Sequence, residues 1–159
     1  MKGNDQVIAK LNELLADELT AINQYMVHSE ISVNYGYDRL HEAIEKRAIT
    51  EMRHAEKLIA RIIFLDGKPI VSNLNPISVA TEVEGMHKND LAAELGAVKG
   101  YNEGIVVAVG AGDAGTRELL EDILEDEEEH VDWLEAQLSQ IDQIGIKGYL
   151  QGQIGGEGS

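Results

Sequence analysis

Four residues recur in this chain at a fixed distance. Glu18, Tyr25, Glu51 and His54 are each followed, 76 positions later, by Glu94, Tyr101, Glu127 and His130. Each half therefore holds one isolated glutamate and one Glu-x-x-His pair. Together these six carboxylates and imidazoles make a complete ligand set for two metal ions. Carboxylate oxygens with two imidazole nitrogens suit iron or manganese better than they suit a soft-metal site. A carboxylate buried without a partner is costly, because desolvation raises its pKa or destabilises the fold. Four carboxylates meeting in one interior repel one another unless positive charge lies between them, and two divalent cations supply it.

Such a meeting requires helices. The apolar periodicity predicts an all-α fold with four long helices at roughly 4–34, 38–65, 82–110 and 114–143. Steps of three and four place Ile8, Leu11, Leu15, Glu18, Ile22 and Tyr25 on one face of the first. The same spacing aligns Ile44, Ala48, Glu51, Ala55, Leu58 and Ile62 on the second, with His54 beside Glu51. Leu91, Glu94, Val98, Tyr101 and Ile105 share a face of the third; Leu120, Ile123, Glu127, His130, Leu134 and Leu138 share one of the fourth. A glutamate interrupts each apolar stripe. Short turns near Tyr35-Gly36 and Gly110–Asp113 predict antiparallel hairpins. Residues 66–81, which hold both prolines (Pro69 and Pro76), predict a long crossover between the second and third helices. Each of Gly85, Gly96, Gly100 and Gly104 costs about 1 kcal/mol in a helix interior, so packing must offset them or the third helix bends. The segment IKGYLQGQ predicts a short fifth helix. The expected organisation is one bundle domain over 1–154 and a disordered tail over 155–159.

The chain is acidic, with 29 Asp and Glu against 13 Lys and Arg and a net charge of −16. That excludes nucleic acid as an expected partner, which needs a basic surface, and favours attraction of cations. The absence of cysteine excludes disulfides, thiolate-bound zinc and iron–sulfur clusters on this chain. The opening MKGNDQVIAKLNELL lacks the continuous apolar core of a signal peptide. No apolar run is long enough to cross a bilayer, so a cytoplasmic protein with no membrane partner is expected.

Several residues read more plainly. A third Glu-x-x-His, Glu84 to His87, lies outside the repeat and reads as helix surface or packing. Of the acidic run 125–129, only Glu127 falls on the apolar stripe; Glu125, Asp126, Glu128 and Glu129 read as a solvated face. Tyr25 and Tyr101 read as core tyrosines whose hydroxyls bond a ligand carboxylate. Met52 directly follows a ligand and is turned about 100° from the metal-facing stripe, toward a neighbouring subunit or solvent. On its own it reads as an interface methionine.

A Glu from each of two helices and a Glu-x-x-His from each of two others is a recognised ligand pattern of ferritin-like dinuclear carboxylate proteins. The segments ELTAINQY, EMRHAEKLI, RIIFLDG and DILEDEEEHVDWLE make the chain resemble bacterioferritins over nearly its whole length. The resemblance implies that Glu18, Glu51, His54, Glu94, Glu127 and His130 form a di-iron ferroxidase centre, catalytic and metal-binding at once. Glu51 and Glu127 would bridge the two irons. It implies Fe²⁺ oxidation by O₂ or H₂O₂, and ferric mineral stored in a homo-oligomeric cage of twenty-four subunits built of dimers. It also implies haem b between subunits with Met52 as axial ligand, and a ferredoxin-type reductant for release. The chain departs from the family pattern around the Met52 pocket at Met26 and Glu45. On the cavity wall, Lys46 and Thr50 replace a His and an Asp. The same six ligands would also serve a non-cage di-metal peroxidase or oxidase. A haem-carrying structural subunit co-assembled with another ferritin chain is the third reading.

Overall fold

The computed structural model describes residues 1–155. Its elements are α1 (Asp5–Asn34), α2 (Asp38–Phe64), α3 (Val83–Gly110) and α4 (Ala114–Gln151). The boundaries repeat as the ligands do: Asn34 and Gly110 close the first helix of each hairpin, Asp38 and Ala114 open the second, and all are related by the same 76-residue step. Gly36 and Gly112 make the two turns with φ of 83° and 69°, a conformation that costs a side chain but not glycine.

Side-chain caps fix the starts of α1 and α4. The Asn4 side chain accepts from the backbone N–H of Gln6 and Val7, at 2.8 and 3.2 Å. Asp113 accepts from Thr116 N at 2.9 Å and also receives Arg61 Nη2 at 2.8 Å, while Arg61 Nε donates to Thr116 Oγ1. A single cap thereby ties the end of α2 to the start of α4.

The hairpins α1–α2 and α3–α4 pack side by side, with α1 against an antiparallel α3. The glycines of α3 make that approach possible. A Cβ on Gly104 would stand 3.0 Å from Leu120 Cδ1 and 3.3 Å from Leu14 Cδ1, and one on Gly100 would stand 3.1 Å from Leu14. Packing therefore offsets the helix cost of Gly100 and Gly104, whereas a Cβ on Gly96 would meet open space; α3 runs unbroken from Val83 to Gly110.

The crossover lies extended along α1, held by a row of α1 side chains. Asn12 bonds Lys68 O and Ile70 N; Thr20 Oγ1 accepts from Asn75 N; Gln24 Oε1 accepts from Ser78 N; His28 Nε2 accepts from Ala80 N. Because Nε2 of His28 accepts, Nδ1 carries the hydrogen and donates to buried Asp90 at 2.9 Å, beside Gln24 Nε2 at 2.8 Å.

Residues 146–151, within the segment expected to form a short fifth helix, are helical and follow a break at Gly145 (φ 77°, ψ 156°) that separates them from the straight run of α4. The break folds the chain back. Tyr149 Oη donates to Gln137 Oε1 at 2.6 Å, whereas twelve residues of straight helix would separate them by about 18 Å. Gly155 O accepts from Arg39 Nε at 2.9 Å. The rest of the expected tail, residues 156–159, lies outside the described residues. No helix among the described residues is long and apolar enough to cross a membrane.

Two apolar clusters fill the bundle. One centres on Leu11, Leu14, Leu58, Ile62, Leu120 and Ile123, the other on Tyr25, Leu40, Ile44, Val83, Ile141 and Tyr149. Between them, along all four helices, lies a belt of buried charge.

Candidate metal centre

The belt contains Glu18 from α1, Glu51 and His54 from α2, Glu94 from α3, and Glu127 and His130 from α4. None is more than 2% exposed. Glu18, Glu51, His54 and Glu127 bring one donor atom each to within 4.8 Å of one another; Glu51, Glu94, Glu127 and His130 do the same. Glu51 and Glu127 belong to both groups, as bridging carboxylates must. Imidazole centroids of His54 and His130 stand 6.3 Å apart with planes inclined by 21°.

The contacts mirror each other across the halves. His54 Nδ1 lies 2.8 Å from Glu127 Oε1, and His130 Nδ1 lies 2.8 Å from Glu51 Oε1. Tyr25 Oη donates to Glu94 Oε1, and Tyr101 Oη donates to Glu18 Oε1. The two short imidazole contacts do not have hydrogen-bond geometry. Each of the four glutamates therefore retains one buried oxygen without a hydrogen-bond partner: Oε2 of Glu18, Oε1 of Glu51, Oε2 of Glu94 and Oε1 of Glu127. Four unsatisfied carboxylate oxygens in one dry interior are costly unless a cation takes them up.

Electrostatics in the metal-free protein carry the same strain. Burial pushes the Glu51 carboxyl up to about 8, reinforced by the charge of Glu18. Burial likewise raises Glu94, aided by Glu127, and raises Glu127 itself. For His54, burial opposes protonation, but the close carboxylates of Glu127, Glu18 and Glu51 outweigh it and the pKa rises. Protons thus hold the place of positive charge, and binding a metal must release them. A cavity of about 280 Å³ between α1, α3 and the crossover is lined by Glu18, Glu51, Glu94 and Glu127 together with Asp17 and Asn75.

The other singled-out residues lie elsewhere. Met52 is 40% exposed, in a groove of about 380 Å³ lined by Ile22, Met26, Ala48 and Ile49, with Ser29, Glu30 and Glu45 completing it. A thioether among apolar walls fits half of a haem site, although two carboxylates border it. His87 is fully buried, with Nε2 3.0 Å from Tyr149 Oη and its ring edge-on to Trp133; Glu84 pairs with Lys88 at 2.9 Å on the surface.

Asp126, read from sequence as solvated, is the residue that sequence reasoning missed. Its Oδ2 lies 2.8 Å from His54 Nε2. A carboxylate there accepts from Nε2–H, so that it is Nδ1, facing the glutamates, that gives up its proton when a metal binds, as in carboxylate–histidine–metal arrays. The available signal was its position next to Glu127 on the same helix.

Comparison with known proteins agrees with this architecture. The family model for the Ferritin-like domain matches residues 8–144. The bacterioferritin of Rhodobacter capsulatus is 39% identical over 149 residues, covering 94% of this chain and 92% of that protein. Bacterioferritins of Brucella melitensis (38% identical; 95% and 94% covered) and Mycobacterium leprae (39%; 94% and 94%) are similar throughout. With this bundle and this likeness over nearly its full length, the chain belongs to the bacterioferritin family of ferritin-like iron-storage proteins.

Proposed function

We propose that the chain is a ferroxidase that oxidises Fe²⁺ at the belt of six buried ligands and passes the ferric product to storage. One observation carries this reading: four buried glutamates, each with an unsatisfied oxygen, converge with two imidazoles whose Nδ1 atoms face them. Fe²⁺ is the substrate. Glu18 and His54 complete one position, Glu94 and His130 the other, and Glu51 and Glu127 bridge. Two Fe²⁺ give up one electron each. With H₂O₂ as oxidant, the two electrons and two protons yield two water molecules; with O₂ they yield H₂O₂. The carboxylates stabilise the added positive charge of Fe³⁺, and protons leave the ligands as iron binds. Tyr25 and Tyr101 keep Glu94 and Glu18 oriented by donating to Oε1 of each, leaving Oε2 of each without a hydrogen-bond partner.

Storage calls for a closed shell, and a twenty-four-subunit cage built of dimers is the proposed assembly. Met52 would supply one of two thioether ligands to a haem shared across a dimer; when bound, haem supplies a path for electrons to stored iron, with a ferredoxin-type protein as donor.

The test is the Glu51→Ala, His54→Ala double variant. Its Fe²⁺ oxidation, followed by ferric absorbance with iron in excess, is expected to fall to the rate of Fe²⁺ in buffer. Oxidation as fast as in the unaltered chain would overturn the proposal. Light scattering should give a shell of many subunits; a monomer or dimer would instead favour a di-metal oxidase or peroxidase outside a cage.

A further inference from the structure

The 76-residue repeat holds at all six ligands and both tyrosines but fails at a position behind one of the imidazoles. His54 Nε2 is held by Asp126 Oδ2 at 2.8 Å. The residue related to Asp126 by the repeat, and so placed to hold His130, is Thr50. Thr50 does not do so: its hydroxyl donates to Lys46 O, one turn back on its own helix, at 3.1 Å. Among the described residues nothing hydrogen-bonds His130 Nε2; its recorded contacts, to Glu51 and Glu94, are all through Nδ1. One imidazole is therefore anchored on its outer nitrogen and the other is not.

A second break has the same sense. Half-buried Arg47 on α2 lines a small cavity with Tyr25 and Asp90, and Glu94 and Glu51 are the foremost carboxylates attracting its charge, against the cost of burial. Its repeat partner on α4 is the buried, uncharged Ile123. A fixed positive charge thus acts on Glu94 first and on the shared Glu51 next, so it weighs most on the Glu94 position, where it competes with an incoming cation.

We infer that the two metal positions are unequal: Asp126 is a positioning residue that makes the Glu18–His54 position the tight one, and the Glu94–His130 position, lacking a counterpart at Thr50, is the labile one from which metal exchanges. Anchoring the outer nitrogen adds basicity to the ligating nitrogen and removes ring freedom that binding would otherwise have to freeze. Loss of such a partner costs roughly 10–100-fold in metal affinity. The inference rests on the proposed role of the six ligands and adds an order of filling to it.

Co²⁺ is the probe, because it binds the same donor types without undergoing oxidation and reports coordination through its visible absorption. The full chain, stripped of metal by chelation, is titrated with Co²⁺ under argon. Two steps are expected, separated by roughly tenfold or more. Asp126→Ala should weaken the first step by roughly 10–100-fold and leave the second in place. Thr50→Asp, which restores the missing carboxylate, should tighten the second step and close the gap. Both positions are on the outer side of the ligands, and Asp126 is 42% exposed, so folding is preserved. Two equal steps in the unaltered chain, or an Asp126→Ala titration that overlays it, would overturn the inequality while leaving the six-ligand centre standing. A Co²⁺ spectrum unchanged by Glu51→Ala, His54→Ala would overturn the centre as well.

Discussion

Tyr25 and Tyr101 reach across the molecule: each hydroxyl serves a glutamate from the other half, Glu94 and Glu18. Burial, and next the charge of the glutamate it serves, raises each phenol well above its usual pKa, so each is a donor throughout the working range. Tyr25→Phe leaves Glu94 Oε1 with only the longer contact to His130 Nδ1 at 3.2 Å, a loss of about 1–3 kcal/mol. Denaturant melts of the metal-free chain should show it. With Co²⁺ bound, the loss should shrink, because the metal holds Glu94 in place; an equal loss in both states would assign the tyrosine to packing alone. The six converging side chains and both tyrosines were legible in sequence because each sits on an apolar stripe or, like His54, directly beside one, where a charge or hydroxyl is conspicuous. Asp126 was not. It lies among Glu125, Glu127, Glu128 and Glu129, one step off the stripe, and what brings it to His54 is the register of α4 against α2, which the period of one helix does not encode.

At the scale of elements, helix starts and the ends of α1 and α3 agreed with the periodicity to within one residue, because Asn4, Gly36 and Gly112 mark them by chemistry that acts locally. α4 breaks at Gly145, just past the expected end of the fourth helix near 143 and just before the segment IKGYLQGQ. Hidden was the fold-back there that lets Tyr149 reach Gln137 and His87, a tertiary contact. The row Asn12, Thr20, Gln24 and His28 was hidden too, since a polar helix face that holds a crossover reads like one that meets water. The His87–Tyr149 contact carries a pH dependence. Burial lowers the His87 pKa to about 4, from 6.5 in an unfolded chain. The unfolded state therefore binds the extra proton between those values. The stability this neutral histidine contributes is complete above about 6.5 and is lost as pH falls toward 4. Trp133, the single tryptophan, stands 5.6 Å from the His87 ring and reports on it. Thermal melts read by tryptophan fluorescence should show midpoints that decline from pH 6.5 to pH 4, and His87→Gln should flatten that decline. A slope unchanged by the substitution would place the sensitivity in other groups.

At the scale of the molecule, the boundaries, turns and ligands all obey one repeat, and the chain passes between the two copies only once. That passage is fastened at Asn12, Thr20, Gln24 and His28, but Val71 to Leu74 are exposed and no hydrogen bond fastens them. Severing the chain there would yield two separate pieces, each a helical pair bearing three of the six donors. Divalent ions would then act as the clasp between them: the nicked halves should co-elute far more firmly with Co²⁺ than after chelation, turning an intramolecular metal site into a measurable adhesive.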